Sequence, residues 1–293
     1  MSYILSCEST ADLTAEQFES RNIKVVCFHF AIDGKEYMDD LGASVPFPEF
    51  YEKISAGCDT RTSQVNISEY EEFWTPYLEA GENIVHISLS SGLSGTVNSA
   101  RNAARLLKEK FPEREISVVD SLGASSGYGM LVLCAADLRD QGKTEEELVS
   151  WLEKEKRKLN HWFFSTDLSS YVRGGRISKA AAVFGGILEI CPLLNMDGQG
   201  RLIPRMKVRK KSAVISEIVK QMEKYAVGGL DYAGKCRISH SNCYEDAKAV
   251  ADLIEKRFPR LDGDVEINWV GTTIGAHTGP GTVALYFFGE ERT

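Results

Sequence analysis

Across residues 84–100 an apolar run with strand patterning gives way to Ser90-Ser-Gly-Leu-Ser-Gly-Thr96, and then to residues at helical spacing. Ser90, Ser91, Ser94 and Thr96 can each donate a hydroxyl hydrogen bond. The two glycines permit close approach of a ligand, and the first N–H groups of the following helix have no partner inside it. A simple helix cap needs one hydroxyl, not four. The loop therefore suits capture of an anion or carboxylate, with ordinary capping as the plainer alternative. Two further segments share its character. Arg61-Thr62-Ser63-Gln64 places hydroxyls ahead of a capped helix, and the stretch 271–281 sets His277 among Gly, Thr and Pro in a loop between strands. There the imidazole is either satisfied by backbone carbonyls or acts as a charge-tunable group beside an acid.

Other signatures are weaker. Gly123-Ala-Ser125-Ser-Gly127 matches the GxSxG nucleophile elbow, in which a strained strand-to-helix turn exposes a serine. The preceding strand, 116–120, ends too early for it, with Ser121 and Leu122 intervening. A stand-alone serine esterase using Ser125 thus competes with a plain Gly/Ser helix start. Gly142-Lys143-Thr144 imitates the end of a phosphate-binding loop, but Asp137 stands where the first glycine belongs, and GxGxxG is absent. No nucleotide site is specified. Cys236, His240 and Cys243 are the best metal candidates, yet they lack a fourth ligand and 236–240 alternates like a strand, so no metal and no cofactor is expected. The seven cysteines contain no CxxC pair and read as reduced thiols.

The elements that must position these residues alternate in type. Strand patterns at 3–6, 24–30, 83–89 and 116–120 are interleaved with helical patterns near 15–21, 47–55, 68–79 and 97–107. Ser68-Glu-Tyr-Glu71 and Thr144-Glu-Glu-Glu147 have capping-box spacing, and a charged helix follows over 145–159. Repeated βα units imply a parallel sheet with helices on both faces, whose ligands sit beyond the carboxyl ends of the strands. After residue 160 the style changes to strand pairs at 161–166, 190–195 and 201–208, the last two joined by the turn Met196-Asp-Gly-Gln-Gly200. Helices near 213–225 and 245–258 then alternate with strands near Arg237, Val265 and Thr282. The expected fold is α/β with two domains: 1–160 around a parallel sheet, and 161–293 as an α+β unit with a mixed sheet. A cleft between them is the expected binding location.

At 293 residues and 43% hydrophobic content the chain can bury a sizeable core. It has no run of the roughly 20 apolar residues that span a bilayer, and its first residues lack the basic region of a signal peptide, so a cytoplasmic protein is expected. The formal net charge of −8 argues against a general nucleic-acid binder. Charge is uneven, however. Residues 172–211 carry nine Lys or Arg (173, 176, 179, 201, 205, 207, 209, 210 and 211) against Glu189 and Asp197, a local +7 that leaves −15 on the remainder. This basic stretch is either a solvated hairpin or a face for an anionic partner.

Seven segments in order resemble the DegV family of bacterial fatty-acid-binding proteins: Cys7-Glu-Ser-Thr-Ala-Asp-Leu13, Thr62-Ser-Gln64, Ser90-Ser-Gly-Leu-Ser-Gly-Thr96, Val119-Asp-Ser121, Gly174-Gly-Arg-Ile-Ser178, the run 200–209, and Gly275-Ala-His-Thr-Gly-Pro-Gly281. The resemblance implies two α/β domains enclosing a long-chain fatty acid in an apolar tunnel. It also implies a lipid-carrying subunit of a fatty acid kinase. Such a subunit presents the carboxylate to a dihydroxyacetone-kinase-like ATP-binding partner, giving the acyl phosphate used in phospholipid synthesis, and admits transient membrane contact. By matching position Thr62, Ser94 and His277 would hold the acid group, with Ser91, Gly95 and Thr96 as a secondary part of the head-group loop. Arg176 and Arg209 would serve the phosphoryl group or the kinase partner. Two departures stand out: Glu8 replaces the family's usual Asp, and Val65-Asn66 follow Thr-Ser-Gln where Pro is frequent.

Overall fold

The computed structural model describes residues 3–178 and 190–293. Lys179 and Glu189 of the basic stretch lie outside them. The chain runs β1 (Tyr3–Glu8), α1 (Ala15–Ser20), β2 (Ile23–Val26), β3 (His29–Ile32), β4 (Lys35–Met38), α2 (Phe47–Ser55), β5 (Thr60–Ser63) and α3 (Ile67–Glu79). It continues through β6 (Asn83–Ser88), α4 (Thr96–Lys110), β7 (Ile116–Asp120), α5 (Ser125–Asp140) and α6 (Glu145–Glu155). The second half follows as β8 (Leu159–Ser165), α7 (Ser169–Arg173), β9 (Ile190–Met196), β10 (Leu202–Arg209), α8 (Lys211–Tyr225), β11 (Arg237–His240), α9 (Tyr244–Arg257), β12 (Glu266–Trp269), α10 (Thr272–Thr278) and β13 (Thr282–Phe288).

One sheet is parallel throughout, in the order β2-β1-β6-β7. Its inner strand β6 is buried along its whole length, as a strand covered on both faces must be. Helix α4 turns Val97, Ala100, Ala103 and Leu107 inward, a stripe at helical spacing. The second sheet is mixed, in the order β10-β9-β8-β13-β11-β12, with β11 and β12 its parallel pair. The architecture is therefore α/β with a parallel and a mixed sheet in a two-domain arrangement. The core of the parallel sheet extends across to Phe163, Tyr171 and Tyr286 of the second half.

Several expectations need correction. The single strand expected over 24–30 is two strands in different sheets. At Cys27 the chain leaves β2; the Phe28 N–H donates to Ser9 Oγ at 3.1 Å and its carbonyl accepts from the Asp39 N–H at 2.8 Å. β3 then joins a separate antiparallel sheet, β4-β3-β5. Its hairpin turns on Asp33-Gly34, both with positive φ (49° and 80°), the backbone sign of the two-residue hairpin turn. The capping box expected at Ser68 sits two residues earlier: Asn66 Oδ1 accepts from the Glu69 N–H at 3.1 Å, and Glu69 Oε2 from the Asn66 N–H at 2.7 Å. Ser68 lies inside the first turn and donates to Asn66 Oδ1. The box at Thr144 and Glu147 forms. The helix expected to reach Leu159 stops at Glu155, because Leu159 opens β8.

His277 is not in a loop between strands but on the short helix α10. Its Gly/Thr composition does not favour a helix; tertiary contacts make one. Asp39 accepts from Thr272 Oγ1 at 2.7 Å and from the Thr273 N–H, and Val270 and Ala276 pack with Phe30, Phe50 and Tyr51 under the small sheet. This packing brings α10 against β5. As for the metal candidates, Cys236 is buried in the core beneath α8 and α9, and His240 Nδ1 accepts from the Cys243 N–H at 3.3 Å. Among the described residues no group of three or more His, Cys, Asp or Glu could hold a metal, and no helix is long and apolar enough to cross a membrane.

Candidate functional site

Where the head-group loop, α10 and the mixed sheet converge, a cavity opens. Its wall is mostly apolar, with Leu89 and Leu93 from the loop, Phe163 from β8, Ile274 from α10 and Ala284 from β13. Thr62, Ser94, Arg176 and His277, expected from four separate segments, all line it.

The polar contacts fix a donor chain. Thr62 Oγ1 lies 2.8 Å from His277 Nε2, and Arg176 Nη1 lies 3.5 Å from His277 Nδ1. A guanidinium can only donate, so Nδ1 must present its lone pair and the proton must sit on Nε2. His277 then donates to Thr62 Oγ1, which leaves the threonine hydroxyl hydrogen free to donate into the cavity. Burial, reinforced by the cations Arg176 and Arg173, pushes the His277 pKa down to about 4, so the ring is neutral near pH 7. Positive charge at this end comes from Arg176. Its own pKa is lowered by burial, and it is held by Nε to the Leu93 carbonyl at 3.2 Å and by Nη1 to the Gly174 carbonyl at 2.6 Å. Of the two glycines before it, Gly174 is a steric necessity, since a Cβ there would lie 2.2 Å from His277 Nδ1, and Gly175 takes a left-handed φ of +73°.

The hydroxyls of the 90–96 loop divide their work. Ser94 lines the cavity; its Oγ accepts from the Thr96 N–H at 3.2 Å, at the start of α4, and donates to Gln64 Oε1 at 3.3 Å, the partner a bound carboxylate would have to displace. Ser90 Oγ donates to the Gly200 carbonyl at 2.9 Å, tying the loop to the β9–β10 turn. Gly200 has φ +71°, and a Cβ there would overlap Ser90 Oγ at 2.0 Å. Thr96 is fully buried, with its hydroxyl 2.8 Å from Tyr70 Oη. Ser91 is exposed and held by its N–H to Asp120 Oδ1 at 3.1 Å, while Gly95 faces Gln64. Ser91, Gly95 and Thr96 thus stand off the cavity wall. Arg209 also lies away from it, exposed at the end of β10.

Ser125 lines the cavity and has φ +56°, the strained backbone of an elbow. It is not armed as a nucleophile. Its Oγ bonds to Asp12 Oδ2 and approaches Ser239 Oγ at 3.2 Å, with no histidine bonded to it among the described residues; burial holds the Asp12 carboxyl well above the ordinary range. The cavity's other histidine, His161, is engaged through Nδ1 with the Leu159 carbonyl at 3.1 Å.

Sequence reasoning overlooked the buried acids behind the site. Glu8, at the end of β1, is fully buried, and its side chain accepts from Tyr70 Oη (2.7 Å), His86 Nε2 (3.2 Å), Ser88 Oγ (2.6 Å), the Leu89 N–H (2.9 Å) and Tyr128 Oη (3.0 Å). A carboxylate closing an apolar strand was the available signal, since a buried charge must be well partnered.

Fold and site together define a class: a two-domain α/β protein with an interior apolar cavity whose polar end is built from threonine, serine, histidine and arginine. The chain belongs to the DegV family; the family model "Uncharacterised protein, DegV family" matches residues 5–290. A DegV domain-containing protein of Clostridium perfringens is 36% identical over 99% of this chain and 98% of its own. Among solved structures, a fatty-acid-binding DegV family protein from Thermus thermophilus superposes with TM-score 0.88 at 27% identity, covering 99% of this chain and 100% of its own. The Streptococcus pneumoniae fatty acid kinase (Fak) B3 protein, loaded with linoleic acid, shares the fold with TM-score 0.81 at 23% identity, covering 99% and 100%.

Proposed function

We propose that this protein binds a long-chain fatty acid in the cavity, with the carboxylate on Thr62, Ser94 and His277, and presents it to a separate ATP-binding kinase subunit. The observation that carries the reading is the donor chain from Arg176 through His277 to Thr62 at one end of an otherwise apolar chamber. Burying an acyl chain gains about 0.8 kcal/mol per methylene before the losses of association. The head group then needs orientation more than affinity. A carboxylate leaving water without partners would be heavily penalised; the Thr62 and Ser94 hydroxyls and the nearby guanidinium answer that need with charge-assisted contacts.

In the transfer step a carboxylate oxygen attacks the γ-phosphorus of ATP held by the partner, and the bond to ADP breaks, leaving the acyl phosphate. Positioning and cationic charge are what such a transfer requires of the carrier. Arg176 beside the head group supplies charge, and Arg209 on the exposed end of β10 belongs to the partner face in this reading. A serine esterase is disfavoured because among the described residues no histidine is bonded to Ser125, whose hydroxyl is held by Asp12 and Ser239.

Protein purified from a bacterial host and denatured should release close to one equivalent of long-chain fatty acid by mass spectrometry, and delipidated protein should rebind it. Failure of both refutes lipid binding. With partner and ATP, Arg209→Ala should retain the lipid and lose acyl-phosphate formation; unchanged turnover removes the docking role.

A further inference from the structure

We infer that Glu8, which does not line the cavity, is a positioning residue that sets its head-group end by clamping both ends of the 89–96 loop; this rests on the carboxylate-binding reading above. At the loop's start, Ser88 Oγ and the Leu89 N–H both bond to the Glu8 carboxylate, at 2.6 and 2.9 Å. At its end, Thr96 is reached through Tyr70. Tyr70 Oη donates its hydrogen to Glu8 at 2.7 Å and must therefore accept from Thr96 Oγ1, 2.8 Å away. Between these anchors the loop is closed by the N–H groups of Leu93 and Ser94 on the Ser90 carbonyl at 3.0 and 3.1 Å.

Two head-group residues depend on that loop. Ser94 sits on the loop itself. Arg176 hangs from it, its Nε bonded to the Leu93 carbonyl, and Arg176 in turn faces His277 Nδ1. One buried carboxylate thus holds the loop that carries Ser94 and, through that loop's Leu93 carbonyl, the guanidinium. Burial works to raise the Glu8 pKa, but His86 and the hydroxyl donors outweigh it and leave it lowered, so the clamp is anionic. The same carboxylate meets His86 and Tyr128 and stays clear of the cavity lining. Its effect on a ligand must therefore pass through the loop.

The consequence is selectivity for a free acid. A loosened loop misplaces carboxylate donors and moves Leu89 and Leu93 but leaves Phe163, Ile274 and Ala284 of the apolar wall in place, so a ligand without a carboxylate loses less affinity than the acid. The test compares delipidated wild type, Glu8→Gln and Tyr70→Phe for binding of palmitic acid and of its methyl ester, with thermal unfolding as the check on folding. Glu8→Gln should weaken the acid about tenfold, the equivalent of one charge-assisted hydrogen bond. The ester should shift less than about twofold. Tyr70→Phe removes the link to Thr96 alone and should give a smaller loss with the same preference, which keeps the inference testable if Glu8→Gln does not fold. Equal weakening of acid and ester, or unchanged acid affinity in both variants, overturns it. A wild type that binds neither ligand defeats the carboxylate-binding reading itself, a different outcome from a wild type that binds while the variants show no preference.

Discussion

Two groups of buried acid lie behind the same cavity and are handled in opposite ways. Glu8 receives five donors, His86 among them, and its carboxyl is held below the ordinary range despite complete burial. Asp12 and Asp39 face each other: burial raises both, and the like charge of Asp39 raises Asp12 further, against the hydroxyls of Ser125 and of Thr272, Thr273 and Ser9. Similar burial thus ends in a lowered carboxyl pKa in one place and raised ones in the other, decided by donor supply and by the sign of the neighbour. The division follows the site. Glu8 governs the loop bearing Ser94 and supporting Arg176, and the aspartates govern the entry to α10, which carries His277. The head-group end is therefore assembled from two separately anchored halves.

The comparison breaks most visibly in stability. Glu8→Ala leaves hydroxyl, imidazole and backbone donors buried and unpaired and should lower the unfolding free energy by about 3–5 kcal/mol at pH 7, the scale for breaking a buried charged network. Asp39→Asn mimics the protonated form, keeps most acceptors, and should cost about 1 kcal/mol. Urea unfolding of both variants measures the contrast, and equal losses would erase the distinction between the hubs. Gly174→Ala comes next. The new methyl must displace His277, an overpacking penalty of about 1–3 kcal/mol, and fatty acid affinity should fall while the Glu8 network is untouched. Smaller again is Thr62→Val, which keeps shape but removes the donor that His277 orients; its stability should change by about 1 kcal/mol or less. Its acid affinity should drop and its methyl ester affinity hold, as read by ligand titration.

How much of this was legible in the sequence depends on how local the cause was. The βα alternation, the β9–β10 turn and the Thr144 box follow from neighbours in sequence; the 61–64 and 90–96 hydroxyls and His277 stand out by residue type, while the choice of Thr62, Ser94, Arg176 and His277 as a set comes from the resemblance to the DegV family. The small sheet was hidden because its strands are four residues long, although Asp33-Gly34 is a strong hairpin signal that a longer apolar run over 24–30 obscured. Helix α10 was hidden for a deeper reason: its residues do not favour helix, and Asp39, distant in sequence, holds its start. Thr96 shows the converse error, since a hydroxyl in a candidate anion loop looks alike whether it faces ligand or, as here, a buried tyrosine. Glu8 stood in a quoted motif, but its five donors come from β6, α3, α5 and the loop, and only the tertiary structure gathers them.

The smallest effect is also the one whose sign separates the two hubs. For Glu8 the native pKa lies below its ordinary 4.5, so its contribution is present above that value and is lost as pH falls through the native pKa. For Asp12 and Asp39 the native pKa lies above the ordinary 3.8. Their contribution is complete below 3.8, and it is lost as pH rises through the native value, because the unfolded chain releases a proton that the folded chain retains. The stability penalty of Glu8→Gln should therefore grow from pH 3 to pH 7. The penalty of Asp12→Asn should shrink over the same range and can turn into a gain, since the amide has no proton to lose. Unfolding free energies measured by denaturant at pH 3, 5 and 7 give both slopes. Slopes of the same sign would mean that the aspartates are ionised like Glu8, and that α10 is anchored by charge rather than by a protonated pair.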